Sequence, residues 1–259
     1  MSVEAGAAPA TVKGAALATE LLSAGYAGRA VVQELSIRVA PGEVVSVVGP
    51  NGSGKSTLLK SLVGVVQVLS GKVLLDGNDI TNWSPDAAAR AGIGYVPQID
   101  DVFAPLTVRE NLEMGGYLLP AREVPGRITH VLDVFPQLAR MLTRKAGRLS
   151  GGERKMLAMG RVLMLEPRAF ILDEPTANLA PALANTLLED HIRQLSATGA
   201  SVLVVEQRAR AVLAISDRTY VLTGGRCRLE GTPAELIASP DFADTFLGGT
   251  KRPMESASE

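Results

Sequence analysis

The sequence predicts an α/β fold interrupted by an all-helical segment, and three observations carry that expectation. Short, mostly apolar runs of β-branched residues recur at Glu43–Val48, Ala169–Leu172 and Ser201–Val205, the pattern of strands buried on both faces of a parallel sheet. Helical patterns separate them. Between about Pro105 and Pro167 the Ile/Val runs vanish, leaving consecutive helices broken by Pro120, Pro125, Pro136 and Gly147. The 259 residues, 46% of them hydrophobic, suffice for one large domain or two small ones with a full-sized core.

Residues 1–14 read as a flexible Ala/Gly/Pro-rich extension. Glu4 stands where a secretory signal would want Lys or Arg, and no continuous apolar core follows it. Val31–Val39 alternates apolar and polar after its first pair, as a half-buried strand does. Glu43–Val48 follows as a buried strand and runs straight into a glycine-rich loop. A helix over about Gly152–Leu165 precedes the strand Ala169–Leu172. The next helix spans Pro181–Ser196, with Leu183, Leu187, Leu188, Ile192 and Leu195 on one face, and Gly199 closes it. The main body covers residues 15–249, with the helical subdomain at about 105–167, and residues 250–259 read as a polar, flexible tail.

Composition excludes several classes of function. Lys+Arg of 26 against Asp+Glu of 27 gives a net charge of −1, which offers no broad cationic surface for nucleic acid or anionic lipid. The single cysteine, Cys227, precludes an internal disulfide and a cysteine-rich metal site. His130 and His191 lack metal-ligand spacing and read as helix residues. No apolar run approaches the roughly 20 residues needed to cross a bilayer, so any membrane crossing falls to other chains.

Chemistry enters with Gly49-Pro50-Asn51-Gly52-Ser53-Gly54-Lys55-Ser56-Thr57, a full match to G-x-x-x-x-G-K-[ST] between an expected strand and an expected helix. Glycines let successive backbone N–H groups turn inward as an anion nest, and the helix N-terminus adds its positive end. Lys55 is placed to reach β- and γ-phosphates, and the Ser56 hydroxyl to ligate Mg²⁺. The acidic counterpart is Phe170-Ile171-Leu172-Asp173-Glu174, two carboxylates at the carboxyl end of a buried strand, where open α/β sheets bind ligands. Asp173 suits the Mg²⁺ ion, and Glu174 is positioned to accept a proton from an attacking water. Leu149-Ser150-Gly151-Gly152-Glu153 forms a second glycine-rich helix start, with Ser150 also suited to cap the helix.

Together these motifs resemble the ATP-binding subunits of ABC transporters over about residues 15–248. Gly49–Thr57 is similar to their Walker A, Gly94-Tyr95-Val96-Pro97-Gln98 to the Q-loop, Leu149–Glu153 to the signature and Phe170–Glu174 to Walker B, in family order. The resemblance implies a P-loop NTPase fold of the ABC type, with an antiparallel β subdomain and an α-helical subdomain. It implies that ATP and Mg²⁺ are the cofactors. Nucleotide contacts fall to Tyr26 (stacking on adenine), Asn51, Gly52, Gly54, Lys55, Ser56 and Thr57. Metal contacts fall to Ser56, Gln98 and Asp173, and Gln98, Glu174 and Gln207 take part in hydrolysis. In the family two such domains close head to tail around two nucleotides, so Ser150, Gly151 and Gly152 are expected to serve the nucleotide of a partner ATPase. Two transmembrane permease subunits and, indirectly, a solute-binding protein complete the assembly. This chain then lies peripherally on the cytoplasmic face of the cell membrane. Ile99–Leu106, with Phe103, is the expected docking surface.

Departures from the general family pattern point to one branch. Val204-Val205-Glu206-Gln207-Arg208 places Gln207 where the switch histidine is usual, and Ala177-Asn178-Leu179-Ala180-Pro181 replaces the common Ser-Ala-Leu-Asp. With Glu110-Asn111-Leu112 running into Gly115-Gly116-Tyr117-Leu118, these resemble the second ATPase subunit of branched-chain amino-acid importers and of related urea and short-amide importers. Asn178 departs from the glycine common there, and Glu153 from glutamine. A glutamine can hydrogen-bond a γ-phosphate but carries neither charge nor proton. Competing readings are a soluble ABC ATPase acting on ribosomes or DNA, a homologue that binds ATP without hydrolysing it, and an exporter ATPase. The first usually needs two ATPase domains or a long coiled coil, the second conflicts with intact Lys55, Asp173 and Glu174, and the third is often fused to its membrane domain.

Overall fold

The computed structural model describes residues 13–99, 101–177 and 179–242. Most of the expected N-terminal extension, Asn178 and the expected tail at 250–259 lie outside the described residues. The chain opens with β1 (Leu17–Tyr26), β2 (Arg29–Leu35), β3 (Arg38–Val39) and β4 (Val44–Val48), then passes through α1 (Lys55–Leu62) into β5 (Gln67–Leu75) and β6 (Asn78–Asp79). Helix α2 (Pro85–Arg90) leads to β7 (Ile93–Val96), and α3 (Val108–Gly115), α4 (Val124–Val134), α5 (Pro136–Ala139) and α6 (Gly151–Leu163) follow. The order then becomes β8 (Ala169–Asp173), α7 (Pro181–Thr186), α8 (Arg193–Ala197), β9 (Ser201–Glu206), α9 (Ala209–Leu213), β10 (Arg218–Thr223), β11 (Arg226–Gly231), α10 (Pro233–Ala238) and α11 (Pro240–Phe242).

Two sheets frame the molecule. The first is antiparallel, ordered β2-β1-β5-β6 with β3 also on β1. The second is ordered β11-β10-β4-β9-β8-β7, parallel except for the β10–β11 hairpin. Every residue of β4, β8 and β9 is buried. Because side chains alternate along a strand, Val44, Val48, Phe170, Leu172, Val202 and Val204 join a core shared with the helical segment. Val45, Val47, Ile171, Leu203 and Val205 join a second core under the antiparallel sheet. The one polar residue inside β4, Ser46, pairs its hydroxyl with that of Thr219 on β10 at 2.6 Å.

The expected strand Val31–Val39 is in fact two strands. Glu34 turns into the left-handed region at φ 53°, and the chain leaves the ladder at Ser36–Ile37. The Thr19 hydroxyl bridges the gap, donating to the Leu35 carbonyl (2.9 Å) and accepting from the Ile37 N–H (3.0 Å). The expected helix Pro181–Ser196 is also composite. Residues Leu187–Ile192 form a π-helical turn between α7 and α8. That shift in winding takes Leu183 off the buried stripe, and it is 51% exposed, while Leu187, Leu188, Ile192 and Leu195 are buried. Pro125 does not break a helix; it sits in the first turn of α4, where proline's missing N–H costs nothing. His130 lies in α4 and His191 in the π-helical turn, its ring tilted against Phe135 at 4.9 Å.

Candidate functional site

The carboxyl ends of β4, β8 and β9, adjacent in the sheet, bring three segments to one edge. From β4 the chain enters the Gly49–Gly54 loop and then α1. Gly54 caps α1 at φ 99°, with no side chain to satisfy the first-turn N–H groups, so they face the cleft as anion donors. A side chain there would come within 2.6 Å of Val32 Cγ1, which is why the position needs glycine twice over. Gly52, at φ 77°, faces open space. The buried Lys55 ammonium donates to the Gly49 carbonyl at 2.8 Å and the Pro50 carbonyl at 3.0 Å. Burial pulls the Lys55 pKa down, against the opposing charges of Glu174, Asp173 and Glu206.

At the end of β8, Asp173 Oδ1 accepts from the Ser56 hydroxyl (3.1 Å) and Oδ2 from the Tyr95 hydroxyl (3.4 Å). Burial pushes the Asp173 carboxyl upward, and the Glu174 charge adds to this, while Ser56, Lys60 and Tyr95 oppose it. Tyr95, from β7, is itself pushed up by burial and by Asp173. Glu174 is the meeting point. Gln98 Nε2 donates to its Oε2 at 2.7 Å, and Gln207 Nε2 lies 2.9 and 3.0 Å from its two oxygens.

A cleft of about 340 Å³ is lined by Val31, Asn51, Gly52, Gly54, Lys55, Ser56, Thr57, Gln98, Glu174 and Gln207. Nine of the residues expected from sequence thus share one wall, and Asp173 reaches it through Ser56. Tyr26, at the end of β1 and 53% exposed, does not line this cleft; Val31, across the β1–β2 turn, does. Ser150, Gly151 and Gly152 do not line it either. They start α6, where Ser150 Oγ accepts from the Glu153 N–H at 3.4 Å and Glu153 Oε2 accepts from the Ser150 N–H at 2.7 Å, a complete capping box. The Ser56 hydroxyl, the Asp173 carboxylate behind it and the Gln98 amide oxygen offer an all-oxygen donor set, which fits a hard divalent cation such as Mg²⁺. Backbone N–H groups and a lysine beside them fit a polyphosphate.

Sequence reasoning missed several participants. Tyr95 stood inside the Q-loop segment without a role, although an aromatic hydroxyl in a strand ending beside Walker B is a readable signal. Glu206 was an acidic residue ending an otherwise buried strand, the kind of position that requires a partner. That partner is Thr176, whose N–H and hydroxyl both reach Glu206 Oε1 at 2.8 Å. Lys155, on α6, donates to the Gln98 carbonyl at 2.7 Å and sits 2.8 Å from Asp101 Oδ2. Beyond these lies a larger, apolar groove of about 510 Å³ between the parallel sheet and the helical segment. Its walls include Val65, Phe103, Met114, Tyr117, Ala158 and Val162.

The profile of the family described as ABC transporter matches residues 32–177. This chain belongs to the ABC transporter family. It is an ABC-type ATP-binding subunit of a transporter, an ATPase that hydrolyses ATP to power transport. It is 42% identical over 232 residues to a probable branched-chain amino acid transport ATP-binding protein, LivF, of Archaeoglobus fulgidus, covering 90% of this chain and 98% of that one. It is 39% identical over 233 residues to BraG of Pseudomonas aeruginosa, a high-affinity branched-chain amino acid transport ATP-binding protein, covering 90% and 100%. A lipopolysaccharide export system ATP-binding protein, LptB of Escherichia coli, is 32% identical over 237 residues, covering 90% and 98%. Among solved structures, the ADP conformation of MJ1267, an ATP-binding cassette of an ABC transporter, superimposes with a TM-score of 0.80 at 31% identity, covering 90% and 99%. Among the described residues no helix of this ABC subunit is long and apolar enough to cross a membrane.

Proposed function

We propose that this ABC subunit drives an importer for branched-chain amino acids, hydrolysing ATP at the cleft between the Gly49–Thr57 loop and Glu174. The observation that carries the catalytic reading is Glu174 itself, a carboxylate on the cleft wall held by two neutral amide donors, Gln98 and Gln207. Amides orient a carboxylate without neutralising it, so Glu174 stays an acceptor for the proton of an attacking water. Lys55 exchanges its two loop carbonyls for the more strongly charged β- and γ-phosphates of the substrate. Ser56, Asp173 and Gln98 would hold Mg²⁺, which would neutralise charge developing on the phosphate oxygens. Gln207 contributes a hydrogen bond and no proton transfer.

Ser150, Gly151 and Gly152 lie off this chain's own cleft, which supports their service to the nucleotide of a second ATPase subunit in a head-to-tail dimer. The apolar groove lined by Phe103, Met114 and Tyr117 suits a helix of a permease subunit. These partners place the chain peripherally at the cytoplasmic face of the membrane, with a solute-binding protein delivering cargo from outside. For the solute, the relatives at 42% and 39% identity favour branched-chain amino acids. The LptB relatives make an export role the second reading. Uptake of labelled leucine, with labelled urea in parallel, tests this in cells lacking the chain and complemented with wild type or Glu174→Gln. Leucine uptake restored by the wild type alone is expected. Lost urea uptake with leucine unchanged moves the solute to urea, and neither changing removes the importer reading.

A further inference from the structure

Glu174 is not only hydrogen-bonded; its backbone is in the left-handed region, at φ 46°. A residue with a Cβ persists there only where its surroundings over-determine it. Apart from Gln98, those surroundings come from the end of β9. The Glu174 N–H donates to the Val205 carbonyl at 3.0 Å, and the next three residues of the chain hold the segment that follows Glu174. Glu206 accepts from the Thr176 N–H and hydroxyl, Gln207 donates to the Glu174 carboxylate, and Arg208 donates to the Leu179 carbonyl at 2.9 Å. Glu206 and Thr176 are 2% and 0% exposed, so water cannot replace their bonds. A buried carboxylate is an expensive group to keep unless its oxygens find donors. Here it takes two donors at a single oxygen, one from the backbone and one from a side chain.

We infer that Glu206 is a positioning residue for hydrolysis: by gripping Thr176 it keeps Glu174 in its left-handed conformation, aimed between Gln98 and Gln207. Glu206 itself does not line the cleft. Losing the grip lets residues 174–177 relax toward ordinary backbone angles, and the Glu174 carboxylate leaves its two amide donors. The phosphate loop follows β4, whose pairing with Glu206 runs through the backbone at Val48 and survives loss of the side chain. The effect therefore falls on turnover and spares nucleotide affinity. Burial pushes the Glu206 carboxyl upward, against the Thr176 hydrogen bonds, so Glu206→Gln, which keeps an acceptor oxygen and sheds the charge, suits as the conservative replacement.

The inference rests on Glu174 being the proton acceptor, and the test separates the two. In the purified transporter complex with the partner ATPase's site disabled, ATP turnover per bound nucleotide and ATP affinity are measured for Glu206→Ala, Glu206→Gln, Thr176→Val and Glu174→Gln. Glu206→Ala is expected to lose about a hundredfold in kcat, the scale of a 1 Å misplacement, with ATP affinity within twofold of wild type. Glu206→Gln should recover most of that loss. Thr176→Val removes one of the two bonds and should fall between, and it carries the test if Glu206→Ala fails to fold. Wild-type turnover in Glu206→Ala, or in Thr176→Val where only that variant folds, overturns the grip. So does a loss confined to ATP affinity. Wild-type turnover in Glu174→Gln overturns the base assignment instead.

Discussion

Replacing Lys155 by methionine isolates what the buried ion pair at the root of the Q-loop does. The Lys155 and Asp101 side chains are 9% and 6% exposed and 2.8 Å apart. Removing one partner of such a pair strands the other charge, at about 3–5 kcal/mol. One local feature lowers that figure and another adds to it. Arg161 donates to the Asp101 carbonyl at 2.5 Å, and its guanidinium feels the Asp101 charge, so a second cation remains to share the load. The Gln98 carbonyl loses its 2.7 Å donor, worth about 1 kcal/mol. We expect Lys155→Met to destabilise by about 3–4 kcal/mol. At about 2–4 °C per kcal/mol for a chain of this size, Tm falls by about 6–16 °C. The double variant Lys155→Met with Asp101→Leu should regain most of this, because an apolar pair leaves no buried charge behind. Urea denaturation of the four proteins in a double-mutant cycle measures it. A single-variant loss under 1 kcal/mol, or a double variant equal to the sum of the singles, refutes the reasoning.

Other expectations follow from the same geometry. Gly225 lies outside every motif, yet at φ 78° a Cβ there would stand 2.1 Å from the Val31 carbonyl oxygen. Gly225→Ala should cost at least the roughly 1–2 kcal/mol of a left-handed backbone and, by displacing Val31, weaken ATP binding, as read by denaturation and nucleotide titration. Asp173 sits above its ordinary value of 3.8, so its contribution to stability is present below that pH and lost as pH rises through its folded value. Asp173→Asn should therefore raise the Tm of the nucleotide-free protein at neutral pH, with the gain shrinking toward pH 4, while Mg²⁺-dependent turnover is lost. Ser150→Ala opens the capping box of α6 and should cost about 1 kcal/mol in a urea melt. Glu153 is held low, chiefly by the Ser150 N–H, so the box's contribution is present above the ordinary glutamate value of 4.5 and is lost as pH falls below it, through the lower folded value.

The elements that could be read from the chain alone are those whose burial is complete. β4, β8 and β9 are apolar on both faces, and their ends came within two residues of expectation. β1 and β5 have exposed alternating positions and bulges at Leu21 and Ser23, so Thr, Glu, Ser and Lys interrupt any apolar pattern; they were expected only through the family resemblance. β7 is four residues long and holds a glycine, too short for a periodic signal. The π-helical turn, where His191 meets the Phe135 ring at 4.9 Å, leaves no mark in the local spacing. The site was more legible than the fold, because phosphate chemistry constrains residue types at fixed offsets. What escaped were contacts across long separations, such as Glu206 with Thr176, 30 residues apart, and Lys155 with Gln98, 57 apart.

The strand order has a consequence for how the molecule is made. β4 carries the phosphate loop and ends at residue 48, yet its two neighbours in the sheet, β9 and β10, begin at residues 201 and 218. During synthesis at about 5–20 residues per second, β4 waits roughly 8–30 s with both edges unpaired. Unpaired apolar edges are templates for aggregation. The strand that carries the phosphate loop is made long before the strands that complete its sheet, so the nascent chain, and not the finished protein, is where chaperones have most to do.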